Sequence, residues 1–239
     1  MNLQSLLDQF VGSGTRTAPH NDHQTTQGAL GNLASKIPGG LAGGAAAGGI
    51  MALLVGNKST RKFAGKAATV GGIALLGGLA YKGYQNWKQN TGVQNAPPAT
   101  EADLNTPHQA YLPQAAAQGP PLELTLVKAM IAAAKADGHI DADEQTRIFD
   151  AVEQMNLPPD QKAVVFDCLR RPIPVAELAA EVHSVEHKSE LYLAACLAIV
   201  PDHPGERAYL NDLATALQLP AGLPEHLARQ ANGGVAGAE

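Results

Sequence analysis

The residues best suited to chemistry in this chain of 239 residues crowd into AKADGHIDADE, residues 134–144. Asp137, Asp141, Asp143 and Glu144 fall within that one stretch. Ca²⁺ and Mg²⁺ are hard cations that take several oxygen ligands, and carboxylates spaced along a tight loop supply them. The pattern is not an EF-hand: counted from Asp137, the glycine is Gly138 in second place instead of sixth, and Ile148 stands where the closing Glu belongs. The same acids have a structural use. Asp141 can cap a helix, Glu144 three residues on completes a capping box, and the other charges favour a helix N-terminus. A second acidic loop, VPDHPGE at 200–206, brings Asp202 and Glu206. It supports a cation site only if the two loops meet in space.

Other candidates are weaker. His183, Glu186 and His187 spell H-x-x-E-H, an inverted zinc-protease signature. So short a pattern arises easily by chance, and the expectation is a solvated helix start with Glu186 near its N-terminus. His139 and His203 flank the acidic loops and are expected at the surface. Cys168 and Cys196 form no CxxC pair and fall on faces that read as buried, which suits free thiols packed as small hydrophobes. Spacing alone leaves a disulfide between them open. With no P-loop, Rossmann fingerprint or triad, the chain is expected not to be an enzyme.

The elements that must hold these residues are helical. From Leu122 the apolar residues recur with helical period: Leu126, Val127, Met130, Ile131 and Ala134 share a face that ends at Asp137-Gly138. A second helix is predicted from Asp141 on the stripe Ile148, Phe149, Val152 and Met155, stopped by Pro158 and Pro159. A third opens at Asp160 with the stripe Val164, Val165, Cys168 and Leu169. A short one runs from Pro174 to Val182. ELYLAACLAIV, residues 190–200, is apolar nearly all round and marks a central buried helix. Another starts at Pro204 with Tyr209, Leu210, Leu213 and Leu217 inward, and Leu223 to Gln230 adds a last turn or two. No segment alternates with period two. Residues 130–158 also lie over 192–220 without gaps, placing Glu144 on Glu206 and Met155 on Leu217, a faint internal repeat of helical hairpins. The expected fold is all-α, with a compact domain over 122–231 and a disordered tail at 232–239.

Ahead of that domain the composition shifts. Leu3, Leu6, Leu7 and Phe10 make a short amphipathic start, and a polar linker follows to residue 36. Residues 37–56 carry no charge, and neither do 67–81; Lys58, Arg61, Lys62 and Lys66 lie between. The two runs read as a Gly/Ala-rich membrane-associating hairpin over 37–88, although the second is short for a span. Gly40, Gly44 and Gly48 fall four apart, a small-xxx-small spacing that lets helices approach closely in lipid and supports a homo-oligomer. Tyr81, Tyr84 and Trp87, with Lys82 and Lys88, then read as an interfacial belt. Residues 89–121 are Pro-, Ala- and Gln-rich and read as a linker. A net charge of −5 gives no nucleic-acid footprint.

ADGHIDADE, followed some sixty residues later by ELYLAACLAIVPDHPGERAYLNDLA, resembles the TerB-like domain of tellurite-resistance proteins. With the Gly-rich segment in front, the whole chain resembles the YebE-type bacterial inner-membrane proteins, whose function is unknown. That resemblance implies an all-α fold of about seven helices with an acidic, metal-capable surface, and Asp137, Asp141, Glu144, Asp202 and Glu206 occupy its acidic positions. His203 and Gly205 stand where further oxygen ligands would have helped. The expectation is a protein of the bacterial inner membrane with its C-terminal domain in the cytoplasm. It acts as an interaction or sensor module that binds Ca²⁺ or Mg²⁺, or alternatively as a structural, oligomeric membrane protein that binds none.

Overall fold

The computed structural model describes Phe63, residues 72–105, 108–111, 121–136, 159–199 and 204–233. Among these are eight α-helices and no β-strand: α1 Gly72–Lys88, α2 Glu101–Asn105, α3 Leu122–Ala134, α4 Pro159–Arg170, α5 Val175–Ala180, α6 Val185–Ala198, α7 Pro204–Ala216 and α8 Leu223–Gly233. Two 3₁₀ turns, Val93–Asn95 and Gln109–Tyr111, lie between α1 and α3. The expected all-α fold is present. The helix expected from Asp141 falls outside the described residues, as do Gly40, Gly44 and Gly48 and the tail from residue 234.

The core is built around α6, which packs along α3, α1 and α8. Every residue from Ser189 to Leu197 is buried, as a helix apolar all round must be. α3 presents Leu126, Val127, Met130 and Ile131 to it, in the register that the sequence period requires. On α4 the predicted stripe holds for Val165, Cys168 and Leu169, whereas Val164 is 39% exposed. Val164 lies at the edge of the stripe, 100° around the helix axis from Val165.

α1 departs from the membrane expectation. Leu75, Leu76, Leu79 and Ala80 are at most 1% exposed and belong to the same core as Leu191, Leu193 and Leu227. Its glycines are points of close approach. A Cβ on Gly77 would stand 2.7 Å from the Tyr111 carbonyl oxygen, and one on Gly78 would stand 2.8 Å from that of Asp103. Each glycine costs a helix roughly 1 kcal/mol against alanine. Here the cost is offset by backbones that could not otherwise touch. From Gly72 onward the second apolar run is therefore a core helix of the globular fold. No helix among the described residues is long and apolar enough to cross a membrane.

The stretch read as a linker is likewise fastened down. α1 ends in a Schellman turn: Asn90 takes φ 52°, its N–H reaches the Trp87 carbonyl, and Thr91 N–H reaches that of Asn86. Asn86 Nδ2 and Gln230 Nε2 both donate to the Pro97 carbonyl at 3.0 Å, and Ala99 N–H donates to Gln230 Oε1 at 2.9 Å. His226 sits between the carbonyls of Gly222 and Thr91, each 2.7 Å away, and Trp87 Nε1 donates to Ala221 O. Residues 91–104 thus strap α1 to α8, burying Ala99 and Leu104. The helical domain begins well before Leu122.

Polar contacts hold the other side. Lys128 on α3 pairs with Glu181 and, at 3.6 Å, with Glu177, while Thr125 Oγ1 donates to Glu181 Oε2 at 2.8 Å. Arg171 grips both Glu177 oxygens and, at 2.8 Å, Asp167. These contacts set α4 and α5 against α3.

Candidate functional site

The acidic loops are anchored by elements that the structure does describe. α3 stops at Ala134, and Lys135 turns its Nζ to the carbonyls of Cys168, Leu169 and Arg171 at 2.9–3.1 Å. A cation on the last carbonyls of α4 satisfies groups that a helix C-terminus leaves unpaired. The chain is thereby pinned just before Asp137. On the other side α7 opens at Pro204, with Glu206 in its first turn. A Cβ on Gly205 would meet the Ala136 carbonyl oxygen at 3.6 Å, ordinary van der Waals contact. The segment that opens with Asp137 and the helix start that carries Glu206 therefore leave from one place. Asp137, Asp141, Asp143, Glu144 and Asp202 themselves lie outside the described residues. Among those described, no group of three or more His, Cys, Asp and Glu is placed to hold a metal.

The zinc-protease pattern is not formed on one helix. Ser184 is the N-cap of α6, accepting from His187 N–H at 3.2 Å, so His183 lies outside the helix and Glu186 in its first turn. The two histidines do not share a helical face. His187 Nε2 is buried without a hydrogen-bond partner among the described residues, and burial holds its pKa below the usual imidazole range. Both cysteines are free and buried. Burial pushes the Cys196 thiol up to about 12 and raises Cys168 as well, which suits packing and not nucleophilic chemistry.

A second feature was not legible in the sequence. A cleft of ≈ 410 Å³ opens between the C-terminal half of α1, the 108–111 turn and the start of α6. Tyr81, Tyr84, His108 and Tyr111 line it, with Glu186 and Lys88 as its charged groups. Tyr81 stacks on His108 at a centroid distance of 5.0 Å and meets Tyr111 at 5.5 Å. The tyrosines read as a membrane-interface belt thus line a cleft instead. Behind it lies Glu190, 0% exposed, with both carboxyl oxygens unpartnered among the described residues. Burial, reinforced by the charges of Glu123 and Glu186, drives its pKa well above the usual carboxylate range. The Tyr111 hydroxyl is buried without a partner among the described residues, and burial, followed by the charges of Glu186 and Glu190, raises its pKa.

The profile of a family described as "Protein of unknown function (DUF533)" matches residues 40–231, most of the chain and nearly all of its helical core. The chain belongs to that family. The DUF533 domain is TerB-like, in agreement with the resemblance carried by its acidic motifs, and its span takes in α1 and the 91–104 strap. A protein of Yersinia enterocolitica described as "Uncharacterized protein in ampR 5'region" is 33% identical over 95 residues, which cover 40% of this chain and 68% of the relative. No solved structure matches the chain.

Proposed function

We propose that this DUF533 protein is a membrane-attached, non-enzymatic binding module of the YebE type, whose helical domain takes a divalent cation, Ca²⁺ or Mg²⁺, between its two acidic loops. The observation that supports it is the approach of Gly205 to the Ala136 carbonyl, which starts both acid-bearing segments from one point. Carboxylates contributed by two segments can enclose a hard cation that neither segment satisfies alone. Asp137 and Glu206 stand nearest that point along the chain, and Asp141, Asp143, Glu144 and Asp202 complete the oxygen-rich set.

Since α1 belongs to the core, the membrane anchor in this proposal is the first uncharged run alone, residues 37–56, with Gly40, Gly44 and Gly48 as its packing face for a homo-oligomer. Lys58, Arg61, Lys62 and Lys66 follow it directly. A single crossing flanked by that basic cluster places the cluster, and the domain after it, on the cytoplasmic side of a bacterial inner membrane.

Thermal unfolding of the full chain in a non-ionic detergent tests the cation reading. A ligand that binds only the folded state stabilises it by about 2.7 kcal/mol at one hundred times its Kd. Ca²⁺ or Mg²⁺ is expected to raise Tm, and Asp137→Asn combined with Glu206→Gln to abolish the rise. A Tm indifferent to both ions would leave the structural, oligomeric role.

A further inference from the structure

We infer that the cleft between α1, the 108–111 turn and α6 is a binding site for a small organic ammonium ion. Its volume, ≈ 410 Å³, suits a small ligand, and its wall sets the rings of Tyr81 and Tyr84 beside the polar side chains of Gln85, Gln89 and His108. Tyrosine rings attract a cation through their negative faces, most strongly where water is partly excluded. Tyr81 and Tyr84, both half-buried, offer ring surface to the cleft, while Tyr111, itself buried, packs 5.5 Å from Tyr81 between centroids and backs the wall. Glu186 adds a carboxylate to the same cleft, and no cation is paired with it among the described residues. Rings and one carboxylate around a half-enclosed volume are the chemistry that recognises an alkylammonium group.

Lys88 also lines the cleft and would repel a cation. It is exposed, so water and salt screen its charge more than that of the half-buried Glu186. The two charges give the proposal its test, because a cation and an anion respond to them with opposite signs.

Trp87, the only tryptophan in the chain, stands 5.6 Å from Tyr84 between ring centroids and reports on the cleft by its fluorescence. The full chain in a non-ionic sugar detergent is titrated with choline and, separately, with its neutral carbon analogue 3,3-dimethylbutanol. Saturable change with choline alone is expected. Glu186→Gln should weaken it about tenfold, as for loss of a charge-assisted contact, and Lys88→Gln should strengthen it by a smaller factor. Phosphatidylcholine vesicles in place of choline separate the sources: a response to both marks a lipid headgroup, and a response to free choline alone marks a soluble amine. No response to either probe, equal response to the neutral analogue, or tighter binding in Glu186→Gln would overturn the proposal. Far-ultraviolet circular dichroism of each variant confirms that a lost response is not lost folding.

Discussion

Gly77 and Glu190 meet face to face: a Cβ on the glycine would stand 3.1 Å from the Glu190 carboxyl oxygen, in a region where that carboxyl is wholly shielded from water. α1 and α6 can approach this closely only because one contributes no side chain, and the approach leaves Glu190 walled in. The contact also separates a core helix from a membrane span, since lipid would place nothing polar against Gly77.

Gly77→Ala tests the contact. In an exposed helix the change would stabilise by roughly 1 kcal/mol. Here the added methyl meets the Tyr111 backbone at 2.7 Å, which cannot yield cheaply, so a net loss of about 1–3 kcal/mol is expected in denaturant unfolding. Gly83→Ala meets the Leu227 Cδ2, the end of a flexible side chain, at 3.0 Å and backbone atoms of His226 and Leu227 no nearer than 3.4 Å, and should cost far less. Equal effects at the two sites would refute the close-packed account of α1.

Glu190→Gln should make stability less dependent on pH. Burial holds the folded pKa of Glu190 well above the ordinary carboxylate value of 4.5. Below 4.5 the carboxyl is protonated in both states and imposes no penalty. As pH rises through and beyond 4.5 the unfolded chain ionises first, binds fewer protons and gains stability over the folded one. The variant is therefore expected to gain on the parent by about 1 kcal/mol per pH unit at the steepest, from pH 4.5 upward until Glu190 itself ionises. Parallel pH profiles from urea unfolding would contradict this.

Leu79→Ala removes a fully buried side chain from α1. A loss of about 2–5 kcal/mol is expected from the transfer and cavity terms together. For the same reason a fragment starting at Leu122 lacks a wall of its core and should show no cooperative unfolding. A sharp thermal transition in that fragment would show that α1 is dispensable.

If residues 37–56 are the anchor, Gly44→Leu combined with Gly48→Leu should weaken self-association in a membrane reporter assay while leaving the fold of the domain unchanged. A reporter fused after Glu239 should be active only in its cytoplasmic form. Unchanged association removes the small-residue packing, and an active external reporter reverses the topology.

Among the described helices from Leu122 onward, α7 and α8 were legible because each buries one stripe, with Leu210, Leu213 and Leu227 where helical period puts them, and α6 because it is apolar nearly all round and buried accordingly. α1 was not, since Leu75, Leu76 and Leu79 among glycines make a run that suits a lipid span and a protein core equally. What decides between them is contact with Tyr111, Asp103 and Leu227, all distant in sequence. The strap was hidden similarly: Asn86, Gln230 and His226 hold it through backbone carbonyls, and a carbonyl carries no sequence signature. Of the acidic candidates, Glu206 could be placed at a helix start, and the approach of Ala136 to the start of α7 came from the Gly205–Ala136 contact, a backbone contact that no side-chain pattern announces. The cleft draws on three separated segments, which no local pattern announces.

Calorimetric titration of the full chain decides whether the two acidic loops share a cation. Ca²⁺ and Mg²⁺ are added to the parent protein, to Asp137→Asn/Glu206→Gln, and to Asp160→Asn, which removes an exposed carboxylate at the start of α4. The account predicts saturable binding of one of the ions to the parent and to Asp160→Asn, and none to the double variant. Binding that survives in the double variant, or no binding to the parent, would contradict it.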